Sequence, residues 1–333
     1  MKQVLPTTET AARPQVTVAI PTRNRPDDLR RCLESLSAIE YPAWNILLVD
    51  QSDDHRTKQL AGHFGSRLPG LRYCRMGEMG LSRARNHAMR MCSSEILAFL
   101  DDDCTVEPDW LHWVAQAFSR HPEAAVVFGL VQAIPHDPGA AFIPTSLITR
   151  ERVFRGRLAL LHLHRAGAAA RIMGAGMYLR RAAVTQVGPF DVHLGPGARF
   201  GIADDREYTY RVLRSGRAIV MTPTIKVLHY GVRSYHDGSA ARMFRTVAYA
   251  GGAVDMKLLR CGEWPALLMI PVHAWRFLCF IRPGNLIRRR GATGLAWIVW
   301  YVRGLLDSFR VRVDRRRLLY MPQPTAASII EGE

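Results

Sequence analysis

The sequence predicts an α/β fold: a mainly parallel sheet with helices on both faces, followed by C-terminal amphipathic helices. Three observations predict it. Short apolar runs alternate with helical patterns through the first hundred residues, most of those runs end in polar or acidic residues, and the last eighty residues turn into long apolar stretches broken by charge.

Val16 to Ile20, Ile46 to Val49, Leu71 to Cys74 and Ile96 to Leu100 read as strands. Between them Pro26 to Ser37, Arg56 to Phe64 and Leu81 to Met91 read as helices, the first carrying Pro26 in its opening turn, where a missing N–H costs nothing. Strands separated by helices imply parallel pairing and a sheet covered on both sides. From about Pro135 to Ala170 the pattern weakens into Pro, Gly, Ala and basic residues, with a helix expected near Leu158 to Arg165. A second ordered block follows, with Met177 to Arg180 as strand, Asp204 to Ser215 as helix and Ala218 to Thr222 as strand; there is no internal repeat.

Trp264 to Ile281 and Ala292 to Phe309 are nearly continuous apolar stretches, interrupted by His273 and Arg276 and by Arg303 and Asp307. A charge near the middle of a membrane span costs roughly 2.5 to 3.5 kcal/mol on insertion scales, so interfacial helices are expected rather than simple spans. Trp264, Trp275, Trp297, Trp300 and Tyr301, flanked by Arg288 to Arg290 and Arg315 to Arg317, match the aromatic and basic make-up of helices in a headgroup layer. A buried helical hairpin and a dimer interface are the alternatives.

Hydrophobic residues at 48% and charged residues at 22% exclude wholesale disorder. Cys32, Cys74, Cys92, Cys104, Cys261 and Cys279 have no metal-like spacing and read as small hydrophobes in a reducing compartment. Residues 1 to 14 are polar, with Pro6 and Pro14 and no apolar run, and are expected to be a flexible tail rather than a secretory leader. The net charge is +16; from Lys257 onward 13 Lys and Arg face 5 Asp and Glu, so half of the excess lies in under a quarter of the chain. That asymmetry points to a polyanionic partner, nucleic acid or an anionic lipid surface.

In open sheets ligands gather at the carboxyl ends of the strands. Here those ends carry Pro21, Thr22, Arg23 and Asn24, then Asp50 to Asp54, then Asp101, Asp102 and Asp103. Three consecutive carboxylates after a buried strand repel one another, and a hard cation resolves that repulsion; a turn or helix cap before Pro108 is the other reading. Gly80 to Ala88 places Ser82, Arg83 and Arg85 at a helix start that could meet a phosphate, or those arginines could be solvated. Asp204, Asp205 and Glu207 open a helix, as general bases or as dipole partners, with Glu207 and Arg211 an ordinary i,i+4 pair. His229 reads as a metal ligand or as a core histidine.

Taken in order, Val18 to Arg25, Leu48 to Asp54, Gly80 through Ala84, Arg85 and Asn86, Phe99 to Asp103, and Asp204 with Asp205 resemble glycosyltransferase family 2, inverting enzymes with the GT-A fold, over roughly residues 15 to 232. The resemblance implies a nucleotide-diphosphate sugar donor, with Pro21, Thr22, Arg23, Asp50 and Asp53 around base and ribose and Arg85 near the nucleotide. It implies a D-x-D motif at Asp101 and Asp103, with Asp101 or Asp102 near the ribose or donor sugar and Asp103 on Mg²⁺ or Mn²⁺. Asp205 looks like the catalytic base and His229 like an additional metal ligand. Asp204 and Glu207 stand where the family often has Glu and Asp, and Glu78 where it often has Asn.

The organisation expected is a tail over 1–14, a GT-A catalytic domain over 15–235 (a nucleotide-sugar half, 15–134, and an acceptor-side half, 135–235), a helical membrane-associated region over 236–325 and a tail over 326–333. The chain is expected at the cytoplasmic face of the cell membrane, acting on a lipid-linked or cell-surface glycan, with no nucleic-acid partner. The rivals are a nucleotidyltransferase with a carboxylate-held metal and a non-catalytic basic protein binding membrane or nucleic acid; the second would leave the acids of the rim to repel phosphate.

Overall fold

The computed structural model describes residues 13–159, 172–273 and 294–321. Residues 1–12, most of the helix expected near Leu158 to Arg165, Trp275, Arg276, Arg288 to Arg290 and the tail over 326–333 lie outside the described residues.

The strands expected in the first hundred residues are present as β1 (Val16–Thr22), β2 (Trp44–Asp50), β3 (Arg72–Arg75) and β4 (Ile96–Phe99), with α1 (Pro26–Leu36), α2 (Arg56–Phe64) and α3 (Leu81–Met91) between them. Every residue of β1 is buried, which is why it reads as an unbroken apolar run rather than an alternation. In α1 the buried residues are Leu29, Cys32, Leu33 and Leu36, the spacing of one helical face. Three further elements follow that the sequence pattern did not single out: β5 (Cys104–Val106), α4 (Trp110–Arg120) and β6 (Ala124–Ala133). Short pieces β7 (Ala141–Phe142) and β8 (Arg152–Phe154) precede β9 (Met177–Arg180), α5 (Arg181–Val187), α6 (Asp204–Arg214), β10 (Ala218–His229) and β11 (Arg233–Ser234).

The main sheet has the order β3-β2-β1-β4-β9-β6-β10-β5, with β8 beside β10. Its long pairings, β1 with β2 and β6 with β10, are parallel. Strand β9 runs antiparallel to both β4 and β6, so the sheet is mixed, and two reversals bring β6 and β10 back into the direction of β1. The carboxyl ends of β1, β2, β4 and β10 therefore meet at one rim. Strand β10 runs seven residues past the expected Thr222, through Pro223, because the ladder is irregular between Met221 and Lys226 and needs no proline N–H there. That extension carries His229 to the rim.

One core layer joins the sheet to α1, α2 and α4, through Leu29, Leu60 and Trp110. The other joins it to α3, α6 and the C-terminal helix α7 (Ser239–Arg260), through Ala84, Tyr208 and Val254. The core thus continues across the boundary expected at residue 235. Helix α8 (Gly294–Ser308) crosses α7 in backbone contact: a Cβ on Gly252 would drive into the carbonyl of Tyr301, and one on Gly304 into the carbonyl of Tyr249.

Ion pairs pin α7 to α6. Lys257, fully buried, donates to Asp191 at 2.8 Å and to Glu207 at 2.7 Å, and Glu207 also takes Arg211 at 2.9 Å. The i,i+4 pair of Glu207 and Arg211 is accordingly an interior one. Asp255, equally buried, accepts from Arg206 and from Tyr301 at 2.7 Å and stands 2.9 Å from His273. Among the described residues no helix is long and apolar enough to cross a membrane, and Cys32, Cys74, Cys92, Cys104 and Cys261 are free thiols.

Candidate active site

A cleft of about 1030 Å³ opens at the rim, lined from the strand ends by Pro21, Thr22, Arg23, Asp101, Asp102, Asp103 and His229, and from α6 by Asp204, Asp205 and Arg206. Residues expected from distant stretches of sequence share it.

The acidic triplet is held from three sides. Thr22 Oγ1 donates to Asp102 at 2.8 Å, and Arg25 reaches from the start of α1 to Asp102 at 3.3 Å and Asp103 at 3.1 Å. Burial pushes the Asp102 carboxyl up to about 7, with Asp103 adding to it and Arg25 opposing. Asp103 goes the other way: burial would raise it, but the His229 contact and charge, then Arg25, hold it below the usual carboxylate range. Burial likewise raises Asp101, partly countered by Arg85 at 3.5 Å.

His229 Nδ1 donates to the carbonyl of Pro144 at 2.9 Å, and Nε2 faces Asp103 Oδ1 at 3.3 Å, where a proton on Nε2 pairs with the carboxylate and a divalent cation would take that proton's place. A carbonyl fixing the far nitrogen is the arrangement that orients metal-binding imidazoles. Gly231 makes the space: a Cβ there would stand 2.6 Å from His229 Nε2 and 2.9 Å from Asp103 Oδ2. Asp103 and His229 thus fit a divalent cation as a two-ligand seat open to further oxygen ligands. The thiol of Cys104 is close to both, but a soft sulfur is a poor ligand for a hard ion.

Asp205 stands half-buried on the cleft wall, one Oδ accepting the Arg206 N–H at 2.6 Å. Burial raises its carboxyl, Asp204 raises it further, and Arg85 opposes. The turn that aims it is strained, since Ala203 adopts φ 74°. Arg85, expected near the nucleotide, is 1% exposed; its guanidinium donates to Asp204 at 2.5 Å beside Asp101, so its charge is spent on the acids of the site. Gly174 leaves it that room, because a Cβ there would overlap the guanidinium.

The expected donor residues divide. Pro21, Thr22 and Arg23 line the cleft. Asp50 is fully buried at the end of β2, accepting from Tyr73 at 2.8 Å and from the Ser52 N–H at 2.8 Å, and Asp53 is exposed, ordering the loop after β1 by accepting from Arg23 at 3.3 Å and Asn24 at 2.7 Å. Both shape the strand ends rather than the cleft lining. The start of α3 does not offer its first amide to a phosphate: Leu81 N–H donates to Pro196 O at 2.9 Å, and Arg83 pairs with Glu78 at 2.7 Å. Arg25, Gln51, Gly174 and the α7 residues Arg242, Met243 and Phe244 line the cleft without having been singled out for a role. Arg25 and Gln51 had a signal, their places at strand ends; the others had none.

The family model described as Glycosyl transferase family 2 matches residues 17–182, about half the chain. Glycosyltransferase AglE of Haloferax volcanii is 26% identical over 227 residues, covering 66% of this chain and 68% of its own length. The glucosyl-dolichyl phosphate glucuronosyltransferase of the same organism is 24% identical over 116 residues, 35% of this chain and 37% of that one, and the pre-mycofactocin glycosyltransferase of Mycobacterium tuberculosis is 24% identical over 252 residues, 72% and 47%. Among solved structures, S. aureus TarS 1-349 superposes with a TM-score of 0.53 at 17% identity over 71% of this chain and 65% of that one, and it has been solved with UDP and with UDP-GlcNAc. The fold is that of TarS, and with the family match over the strands that build the rim, this chain is a glycosyltransferase that belongs to glycosyltransferase family 2.

Proposed function

We propose that this glycosyltransferase moves a sugar from a nucleoside-diphosphate donor to an acceptor hydroxyl with inversion, using Mg²⁺ or Mn²⁺, on a lipid-linked or cell-surface glycan at the cytoplasmic face of a membrane. The observation that carries the reading is the meeting, in one cleft, of a cation seat at Asp103 and His229 with a proton-accepting carboxylate at Asp205. The donor class is supported by the nucleotide complexes of the TarS fold.

The bound cation would offset the charge that develops on the departing diphosphate. Asp101 and Asp102 present oxygens to donor hydroxyls, and Pro21 to Arg23 flank the nucleotide. As the acceptor oxygen bonds to the anomeric carbon and the bond to the diphosphate breaks on the opposite face, Asp205 takes the hydroxyl proton. Asp205 suits that role because burial and Asp204 raise its proton affinity toward neutrality, while the Arg206 N–H fixes its orientation.

A panel of nucleotide sugars, assayed for release of nucleoside diphosphate with and without Mn²⁺, tests this. One donor turned over only with metal, and at least ~10²-fold more slowly by Asp103→Ala, is the expected result. Undiminished turnover in that variant, or no binding of any nucleotide by calorimetry, overturns it.

A further inference from the structure

The cleft continues past the carboxylates into a stretch of different chemistry. Phe142 and Ile143 line it from β7 and the following loop, Met243 and Phe244 from the first turns of α7. Phe142 stacks on Phe244 with centroids 5.0 Å apart and planes 22° from parallel, so this wall is a built aromatic face. Arg233 and Arg242 line the same stretch. The arginines nearer the chemistry, Arg25, Arg85 and Arg206, each face a carboxylate within 4 Å. Arg233 and Arg242 pair with none within 4 Å among the described residues, feeling Asp103 and Asp237 only from farther off, and the Arg233 guanidinium donates to the carbonyl of Val232 at 3.1 Å.

Two guanidiniums with no carboxylate in direct contact, beside an aromatic and aliphatic wall, call for a ligand that supplies both an anion and a hydrocarbon. Guanidinium recognises phosphate through paired N–H donors, and the wall gains by covering apolar surface. Resting on glycosyl transfer as the reaction, we infer that this stretch is the acceptor subsite and that it takes a phosphate-linked amphiphile, a sugar joined through phosphate to a hydrocarbon chain, with Arg233 and Arg242 on the phosphate and Phe142 and Phe244 along the chain. An uncharged glycan would leave both guanidiniums without a direct anionic partner, and a soluble sugar phosphate would leave the wall wet. A chain leaving such a subsite also has an apolar surface to follow, since Val247 on α7 is both cleft-lining and exposed.

The test is equilibrium binding of three probes to the full-length protein below their micelle concentrations: dodecyl phosphate, dodecyl maltoside and inorganic phosphate. Dodecyl phosphate is expected to bind at least ~10-fold more tightly than either of the others, and Arg242→Gln and Arg233→Gln each to weaken it ~10-fold. In the same variants the affinity for UDP, GDP, ADP or CDP with Mn²⁺, whichever the wild type binds, stays within about twofold. Equal binding of dodecyl phosphate and dodecyl maltoside overturns the phosphate assignment, and equal binding of inorganic phosphate overturns the amphiphile. Loss of nucleotide affinity with dodecyl phosphate unaffected also overturns it, assigning the two arginines to the donor. Failure of the wild type to bind any nucleotide with metal is a separate result, which removes the transfer reading itself.

Discussion

At Asp205 two effects raise the proton affinity, burial and Asp204, and three lower it: the buried guanidinium of Arg85 first, then backbone N–H bonds from Arg206 and Gly174. The carboxyl ends at about 7, far above an ordinary aspartate, and the sign of the consequence follows. Below that value Asp205 is protonated and cannot accept a proton; above it the carboxylate is available, so turnover should climb as pH rises through about 7. Asp205→Asn should lower kcat by ~10²–10⁴-fold and leave donor affinity within a few fold, measured by steady-state kinetics beside calorimetry. An equal collapse of donor affinity would remove the assignment. Arg85 supplies a second test at the same site. Arg85→Lys keeps a cation near Asp204 and should leave the ascending limb of the pH profile close to where it was, whereas Arg85→Gln removes the opposing charge and should move that limb to higher pH. A limb that does not move in Arg85→Gln would mean that the guanidinium serves packing alone. Because the variant leaves buried acids without their partner, a stability loss of about 3–5 kcal/mol is expected with it, and the profile is read on the folded fraction.

Between elements, the decisive contacts are those of α7. Gly252 and Gly304 let α7 and α8 touch backbone to backbone, and alanine at either has no space, so Gly252→Ala or Gly304→Ala should cost at least ~1–3 kcal/mol in urea unfolding. Unchanged stability would show that the two helices separate at little cost. Asp255 pins the same helix: burial would raise its carboxyl, but Arg206 first, then His273 and Tyr301, hold it down at about 2. A carboxyl depressed in the folded protein stabilises it fully above the unfolded value, about 4, and loses that contribution as pH falls toward 2. None of this was legible in the sequence, and the reason is physical. The strands of the rim were legible because their burial is local and continuous, and the Asp101 to Asp103 triplet because like charges in one turn are costly wherever the chain folds. Strand β6 was passed over because its apolar run sits beside the equally apolar α4, and β10 seemed to stop at Pro223 because a bulge is a property of two strands. Arg85 was placed near the nucleotide by the resemblance and does line the cleft, but its burial and its partner Asp204, 119 positions away, leave no mark near residue 85.

Over the whole molecule, basic charge and exposed apolar surface converge on the C-terminal side. One face of α8 packs on α7 through Tyr301 and Gly304, while Ile298, Val299, Val302 and Leu306, with Phe309 just beyond the helix, form a stripe on the other, each between 42% and 62% exposed. Trp264, Leu267 and Leu268 add exposed apolar surface after α7, and Arg303 and Arg310 flank the stripe. An apolar stripe bordered by arginines, in a chain of net charge +16, suits an anionic lipid surface, with the hydrocarbon face in the acyl boundary and the guanidiniums among the headgroups. On that proposal both parts would contribute, and they would respond to different conditions. Co-sedimentation with vesicles should therefore be strong for anionic phosphatidylglycerol mixtures, weak for phosphatidylcholine alone, and reduced as ionic strength shortens the screening length from about 10 Å at 0.1 M to about 3 Å at 1 M. Val299→Glu with Leu306→Glu should abolish sedimentation without unfolding the chain, since both side chains are exposed and neither belongs to the core. Circular dichroism of the same samples should match that of the wild type. Sedimentation that survives the double substitution, or that ignores both lipid charge and salt, would remove the membrane from the account and leave this stripe to a protein partner.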